Sequence, residues 1–139
     1  MAYATRGDLG GFIAAAEFAM MAGDGAGGID EARVTRSLAD AAALIDRHLA
    51  RRYRLPLTVT DDGLRRIACD LAWYYLHGAA VNEGAAAAIN FKSALSQLKD
   101  LAEGRSVIPG AAPAALPASG GENPASWVAG PMFLDSRGF

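Results

Sequence analysis

Apolar positions recur every three to four residues along three stretches of the chain. Val34, Leu38, Ala41, Ile45 and Leu49 are spaced four, three, four and four residues apart, which places them on one face of a helix. Asp30 stands where such a helix is capped, and Arg47, Arg51 and Arg52 lie near its C-terminus, where positive charge complements the helix dipole. Pro56 is expected to end it, with Leu55 pushed out of the α region, and Leu57 to Thr60 form a short β-prone connector. A second stripe, Leu64, Ile67, Ala68, Leu71, Tyr74 and Tyr75, follows a cap at Asp61 or Asp62 and stops at Gly78. The third runs from about Glu83 to Glu103, with Ile89, Phe91, Ala94, Leu95, Leu98 and Leu101 on its apolar side and Gly104 as its stop. Ahead of these, Thr5 with Asp8 three residues on reads as a capping box. It opens a short helix through Phe12, Ile13, Ala16, Phe18, Ala19 and Met20, weakened by Gly10-Gly11. Gly23 to Gly28 is a glycine-rich turn. The expected class is all-α: a small bundle of three long helices plus a short N-terminal one.

From Gly104 onward the pattern stops. Pro109, Pro113, Pro117, Pro124 and Pro131 recur among Gly and Ala, so no helix or central strand persists. The last stretch nevertheless carries Trp127, Val128, Met132, Phe133, Leu134 and Phe139, large apolar groups of the kind that mark docking surfaces. The chain thus divides into a helical domain over residues 1–103 and an extended Pro/Gly/Ala-rich C-terminal arm over 104–139. The arm is expected to find its contacts on another subunit or partner rather than on its own body.

Composition narrows the function. Apolar residues make up 52% of the chain, enough for a core, but alanine is the commonest of them and only 8% are aromatic, so the helices must pack closely on small side chains. Thirteen Lys and Arg against fifteen Asp and Glu exclude a bulk nucleic-acid binder, which would be strongly basic. A single cysteine, Cys69, excludes a disulfide framework and a multi-cysteine metal site; mid-helix, it packs as a small hydrophobe. No segment reaches the roughly 20 apolar residues of a membrane span. Phe12 to Ala22 is about half that length and contains Glu17, and Arg6 with Asp8 before it do not make a signal-peptide n-region. The expectation is a soluble, intracellular protein with no membrane partner.

Candidate chemistry is sparse. Ala22 to Arg33 has the outline of a calcium loop, with Asp24, Gly27, Ile29 and Asp30 in register, but Ala22, Ala26 and Arg33 occupy three ligand positions. A glycine turn with Asp30 as helix cap is the expected reading. The same glycines lack the Lys-Ser or Lys-Thr and the preceding strand of a phosphate loop. His48 and His77 have no second ligand at helical spacing, and no nucleophile–base pairing can be laid out. The chain is therefore expected to be no enzyme, with no cofactor and no metal.

Arg47, Arg51, Arg52 and Arg54, with Arg65 and Arg66 in the next helix, form the one concentration of positive charge. They are either a solvated face balanced by Asp40, Asp46, Asp61 and Asp62, an inter-subunit salt-bridge belt, or a surface that meets DNA phosphates. Trp73, Tyr74 and Tyr75 span about 200° of helix, so at least one must leave the core, and Trp73 or Tyr75 is a candidate interface residue.

Taken together, several of these segments carry a resemblance. Tyr3-Ala4-Thr5 with Asp8-Leu9, Asp24-Gly25 with Gly27 and Ile29-Asp30-Glu31, and Ala39-Asp40-Ala41 to Ile45-Asp46 belong to it. So do Leu49-Ala50-Arg51-Arg52-Tyr53-Arg54-Leu55-Pro56-Leu57, Leu64 to Ala72, Pro131-Met132-Phe133 and Asp135 to Phe139. They resemble the Mu-like phage head–tail connector, or adaptor, family, formerly a domain of unknown function. The Arg-Tyr-x-Leu-Pro-Leu element and the terminal motif are the most specific parts. Gly110 to Gly121 is unmatched and reads as a spacer.

The resemblance implies a structural virion protein of the neck, made in the host cytoplasm, without catalytic residues. It implies a ring, often of twelve copies, beneath the portal protein, with a tail-side neck or tail-completion protein below and genomic DNA passing through without sequence specificity. Arg47, Arg51, Arg52, Arg54, Trp73, Trp127, Met132, Phe133, Leu134 and Phe139 are the expected partner-binding residues. The contrasting reading is a small soluble DNA-binding regulatory or interaction module that would use Arg65 and Arg66.

Overall fold

Thr5, Asp30 and Asp61 each start a helix. The computed structural model describes residues 2–78, 82 and 84–114. These hold α1 (Arg6–Phe12), α2 (Ala15–Ala22), α3 (Glu31–Leu49), α4 (Asp62–His77) and α5 (Ala86–Glu103), with no strand among the described residues. Two short helices, rather than one, therefore precede the three long ones.

The extra break has a geometric cause. Thr5 and Asp8 close the expected capping box on α1, and Leu9 of α1 and Phe18 of α2 are both buried. Nine residues of continuous helix would turn them to opposite faces. Extended backbone at Ile13 ends α1 and redirects the chain so that both side chains reach one core. Gly10-Gly11 just before it make the interruption less costly.

The glycine turn is closed by its own aspartate. The Asp24 carboxylate accepts the Ala26 and Gly28 amides at 2.7 and 3.0 Å, and Gly25 and Gly27 hold left-handed φ of 84° and 91° that other residues rarely adopt. Asp30 accepts the Arg33 amide at 3.1 Å. Both acids of the calcium-like outline thus serve the turn and the cap. The two amides hold the Asp24 carboxyl below its ordinary value of 3.8. A depressed folded-state value contributes stability that is present above the unfolded value and lost as pH falls through the folded one. Asp24→Asn should therefore flatten the acid limb of unfolding below about pH 3.8, read by thermal melts across pH; an unchanged limb would show that the turn carries none of it.

Val34, Ala41, Ile45 and Leu49 of α3 are buried as the stripe requires, and Leu38 is half-buried. The helix ends at Leu49, seven residues before Pro56. There the Arg52 and Tyr53 amides turn back to the Leu49 carbonyl at 2.9 and 2.8 Å and carry Tyr53 into the core. On α4, capped by Asp61, Leu64, Ile67, Ala68 and Leu71 are buried with Cys69, whose thiol is pushed up to about 12 by burial. On α5, Ala87, Ala94, Leu98 and Leu101 face the core, and Ile89 is exposed, contrary to its place in the expected stripe. The three long helices share one core in which Ala41, Ala68, Ala72 and Ala94 sit between the larger side chains.

The start of the expected arm belongs to this body. After Gly104 caps α5 in the left-handed conformation, Ile108 is buried and its amide donates to the Tyr53 hydroxyl at 3.1 Å. Tyr53 and Pro113 form an antiparallel bridge, flanked by Arg54 N–H to Ala112 C=O (2.9 Å) and Ala114 N–H to Arg52 C=O (2.8 Å). The prolines are compatible because the bridge uses no amide of theirs. Residues 104–114 therefore pack on their own chain. Among the described residues no helix is long and apolar enough to cross a membrane.

Candidate interaction surface

The four clustered arginines separate into two pairs. Arg47 and Arg51, one helical turn apart, border a groove of about 280 Å³ between the C-terminal ends of α3 and α5, together with His48, Lys99, Ala102 and Glu103. His48 Nδ1 donates to the Leu44 carbonyl at 3.0 Å. Arg52 and Arg54 lie instead on the strand-like clasp. The Arg52 guanidinium covers Gly104, where an added Cβ would come within 2.6 Å of its Nη1, and Arg54 is tied through its backbone to Ala112.

Three of the four carboxylates expected to balance the cluster are engaged elsewhere. Asp46 accepts a short hydrogen bond from the Tyr3 hydroxyl, which fastens the N-terminal segment along α3. The Asp61 carboxylate accepts the Leu64 amide at 2.9 Å, and Asp62 pairs with Arg65 at 2.7 Å. Among the described residues no ion pair joins Arg47, Arg51, Arg52 or Arg54 to a carboxylate. Asp40 acts at longer range: with Arg47 it is felt at the Tyr75 hydroxyl, which burial holds above its ordinary range. Arg65 and Arg66, by contrast, are taken up locally. Arg65 bridges Asp62 and Asp8, and Arg66 pairs with Asp70 at 3.3 Å and lies 4.8 Å over the Phe12 ring. Both α4 arginines that the regulatory DNA-binding reading would use thus have carboxylate partners on their own chain.

Trp73, named with Tyr75 as a candidate interface residue, is buried in this chain's own core. Its ring stacks at 6.3 Å on Phe18 of α2 and meets His77 edge-on at 4.6 Å. The residues that leave the deep core are Tyr74 and Tyr75, which half-bury against Phe91 with ring centroids at 3.9 and 5.9 Å. Trp127, Met132, Phe133, Leu134 and Phe139 lie outside the described residues.

The structure turns outward several apolar residues, three of which belong to the expected stripes. Phe12, Met20, Ile89 and Val107 are exposed, Met20 to 77%. A groove of about 470 Å³ runs between the N-terminal segment and α3, lined by Ala4, Leu38, Ala39, Ala42, Ala43 and Asp46 among others. Positions 39, 42, 43 and 46 are themselves spaced as a helix face. That spacing was the available signal for a second small-residue side of α3, opposite in use to the buried stripe.

The chain matches the family described as Bacteriophage Mu, Gp36 over residues 3–125. It is 50% identical over 48 residues to "Gene product J" of Escherichia phage Mu, a stretch that covers 34% of this chain and 34% of that protein. The alignment thus spans about a third of the relative's length. The family match runs through residues 110–121 and stops short of residues 131–139. With a match over residues 3–125 and an all-α fold, the chain belongs to the bacteriophage Mu Gp36 family.

Proposed function

We propose that this chain is a structural virion protein, a head–tail connector that forms an oligomeric ring beneath the portal, joins capsid to tail and leaves a channel for the genome. In this reading it carries no catalytic centre, cofactor or metal. Its partners are further copies of itself, the portal protein, a tail-side neck or tail-completion protein, and DNA passing without sequence readout, at the virion neck. The observation that carries the reading is membership of a phage Mu family along nearly the whole chain. Supporting it, the exposed Met20 and Ile89 and the alanine-lined groove on α3 are surfaces that a neighbouring copy would cover. Contacts in such a ring are heterologous: one face of each copy meets a different face of the next until the circle closes.

Native mass spectrometry of the protein alone and mixed with portal tests this. The expected result is a closed multimer on portal. A chain that stays monomeric beside portal at concentrations where portal itself is assembled would overturn the connector role.

A further inference from the structure

We propose that the groove between the C-terminal ends of α3 and α5 binds the phosphate backbone of duplex DNA, through Arg47, Arg51 and Lys99 and without reading bases. The inference deepens the connector reading and rests on it for the source of the DNA.

Its first support is an uncompensated charge. Arg47, Arg51 and Lys99 border the groove, and among the described residues none of the three is in an ion pair. The groove's one carboxylate, Glu103, is held by the Arg105 guanidinium, which also bridges to Asp100 at 2.9 Å. Helix-dipole stabilisation accounts for Arg47 and His48 in the last turn of α3. It does not account for Arg51, which stands beyond the helix's final residue, Leu49.

The second support is spacing. Arg47 in the last turn of α3 and Arg51 just past its end border the same groove from one wall, and phosphates along a DNA strand recur about every 3.4 Å of its axis. Lys99 adds a third contact from the other wall. The lining has no Phe, Tyr or Trp ring and no Asn or Gln amide, and the absence of sequence readout follows from the connector reading, in which every sequence of the genome passes. What remains fits phosphates, which position a duplex but carry no sequence.

The competing occupant is an acidic patch on a second copy, and the described surface offers little for it. Of the described carboxylates only Glu17 and Asp40 accept from neither a cation, a backbone amide nor a hydroxyl in the contacts seen, and they stand apart on different helices. Three contacts bind weakly, and a ring multiplies them by presenting one groove per copy. The chain's net charge of −2 gives no long-range attraction, so binding is local and falls steeply with salt.

Fluorescence anisotropy of a labelled mixed-sequence duplex, titrated with the full-length protein from low to physiological salt, tests the assignment. Neutralising three phosphates gives a slope of log K against log salt of about −2.7. Combining Arg47→Gln, Arg51→Gln and Lys99→Gln should weaken low-salt binding at least about tenfold and drive the slope toward zero. Combining Arg36→Gln, Arg65→Gln and Arg66→Gln removes the same charge elsewhere and should leave both values nearly unchanged. No salt-dependent binding by the unaltered protein, or equal losses in the two triple variants, would overturn the proposal. So would a groove variant that keeps its DNA binding and instead loses multimers by native mass spectrometry, since the groove would then join copies. A groove variant that still closes on portal but no longer binds DNA supports both the site and the connector role. Failure of the unaltered protein to assemble on portal, with its DNA binding intact, counts against the connector role alone.

Discussion

Leu71→Ala is expected to lower the unfolding free energy by about 2–5 kcal/mol. Leu71 is fully buried at the middle of α4, the helix that packs against both α3 and α5. Its helix neighbours Ala68 and Ala72 are buried as well, and they are too small to swing into the space it would leave. The core has few large side chains to share the loss: Leu9, Ile45, Leu49 and Leu98 are the other big ones that are fully buried. A domain of this size is stable by about 5–15 kcal/mol in total, so the variant would give up a substantial part of it. Urea unfolding followed by circular dichroism should show a lower midpoint with an unchanged m-value. A loss under about 1 kcal/mol would mean that the three long helices do not converge on this residue.

Two truncations should behave differently, and the contrast is the second large effect. Ending the chain at Glu103 removes Ile108 from the core and strips Tyr53 of its hydroxyl partner and its bridge to Pro113. Losing one fully buried aliphatic residue costs about 1.5–3 kcal/mol, and the uncovered Tyr53 adds to that. This shortened chain should unfold at distinctly lower urea than the full one. Ending it at Ala114 keeps the whole clasp and should leave the urea midpoint within error of full length. The same chain lacks Trp127, Met132, Phe133, Leu134 and Phe139, and in the connector reading its affinity for portal should fall by at least about tenfold, one hot-spot contact being worth about 2 kcal/mol or more. If the chain ending at Ala114 binds portal as tightly as the full one, the C-terminal residues are not the docking element. Equal stability of the two truncated chains would instead remove the clasp from the fold.

What could be read from the sequence was local. The Thr5–Asp8 box, the Asp24 turn, the Asp30 and Asp61 caps and the stops at Gly78 and Gly104 each depend on a few neighbouring residues, and the structure keeps all of them. The α3 stripe survives for the same reason. Failures arose where a distant element decides. Leu9 and Phe18 split one expected helix into two because both are needed in a core whose position no local window contains. Trp73 is buried because α2 delivers Phe18 onto it, and the arm folds back through Ile108 because Tyr53, fifty-five residues earlier, offers both a hydroxyl and a strand edge. The arginine cluster was visible as a run of charge, but its division depended on where α5 ends and which acids were already engaged.

The alanines in the core have a consequence beyond close approach of the helices. Alanine has no side-chain rotamers to lose on folding, whereas burying a leucine or isoleucine costs about 0.5–1 kcal/mol and a methionine up to about 2 in lost freedom. Ala41, Ala68, Ala72 and Ala94 thus add little apolar surface to the core but are ordered at no side-chain entropy. A contact between two such helices has one arrangement rather than several near-equal repackings. At these alanines the placement of α3, α4 and α5 has little side-chain freedom to absorb a shift, so that load on one helix should pass to the next as displacement of the element rather than as repacking.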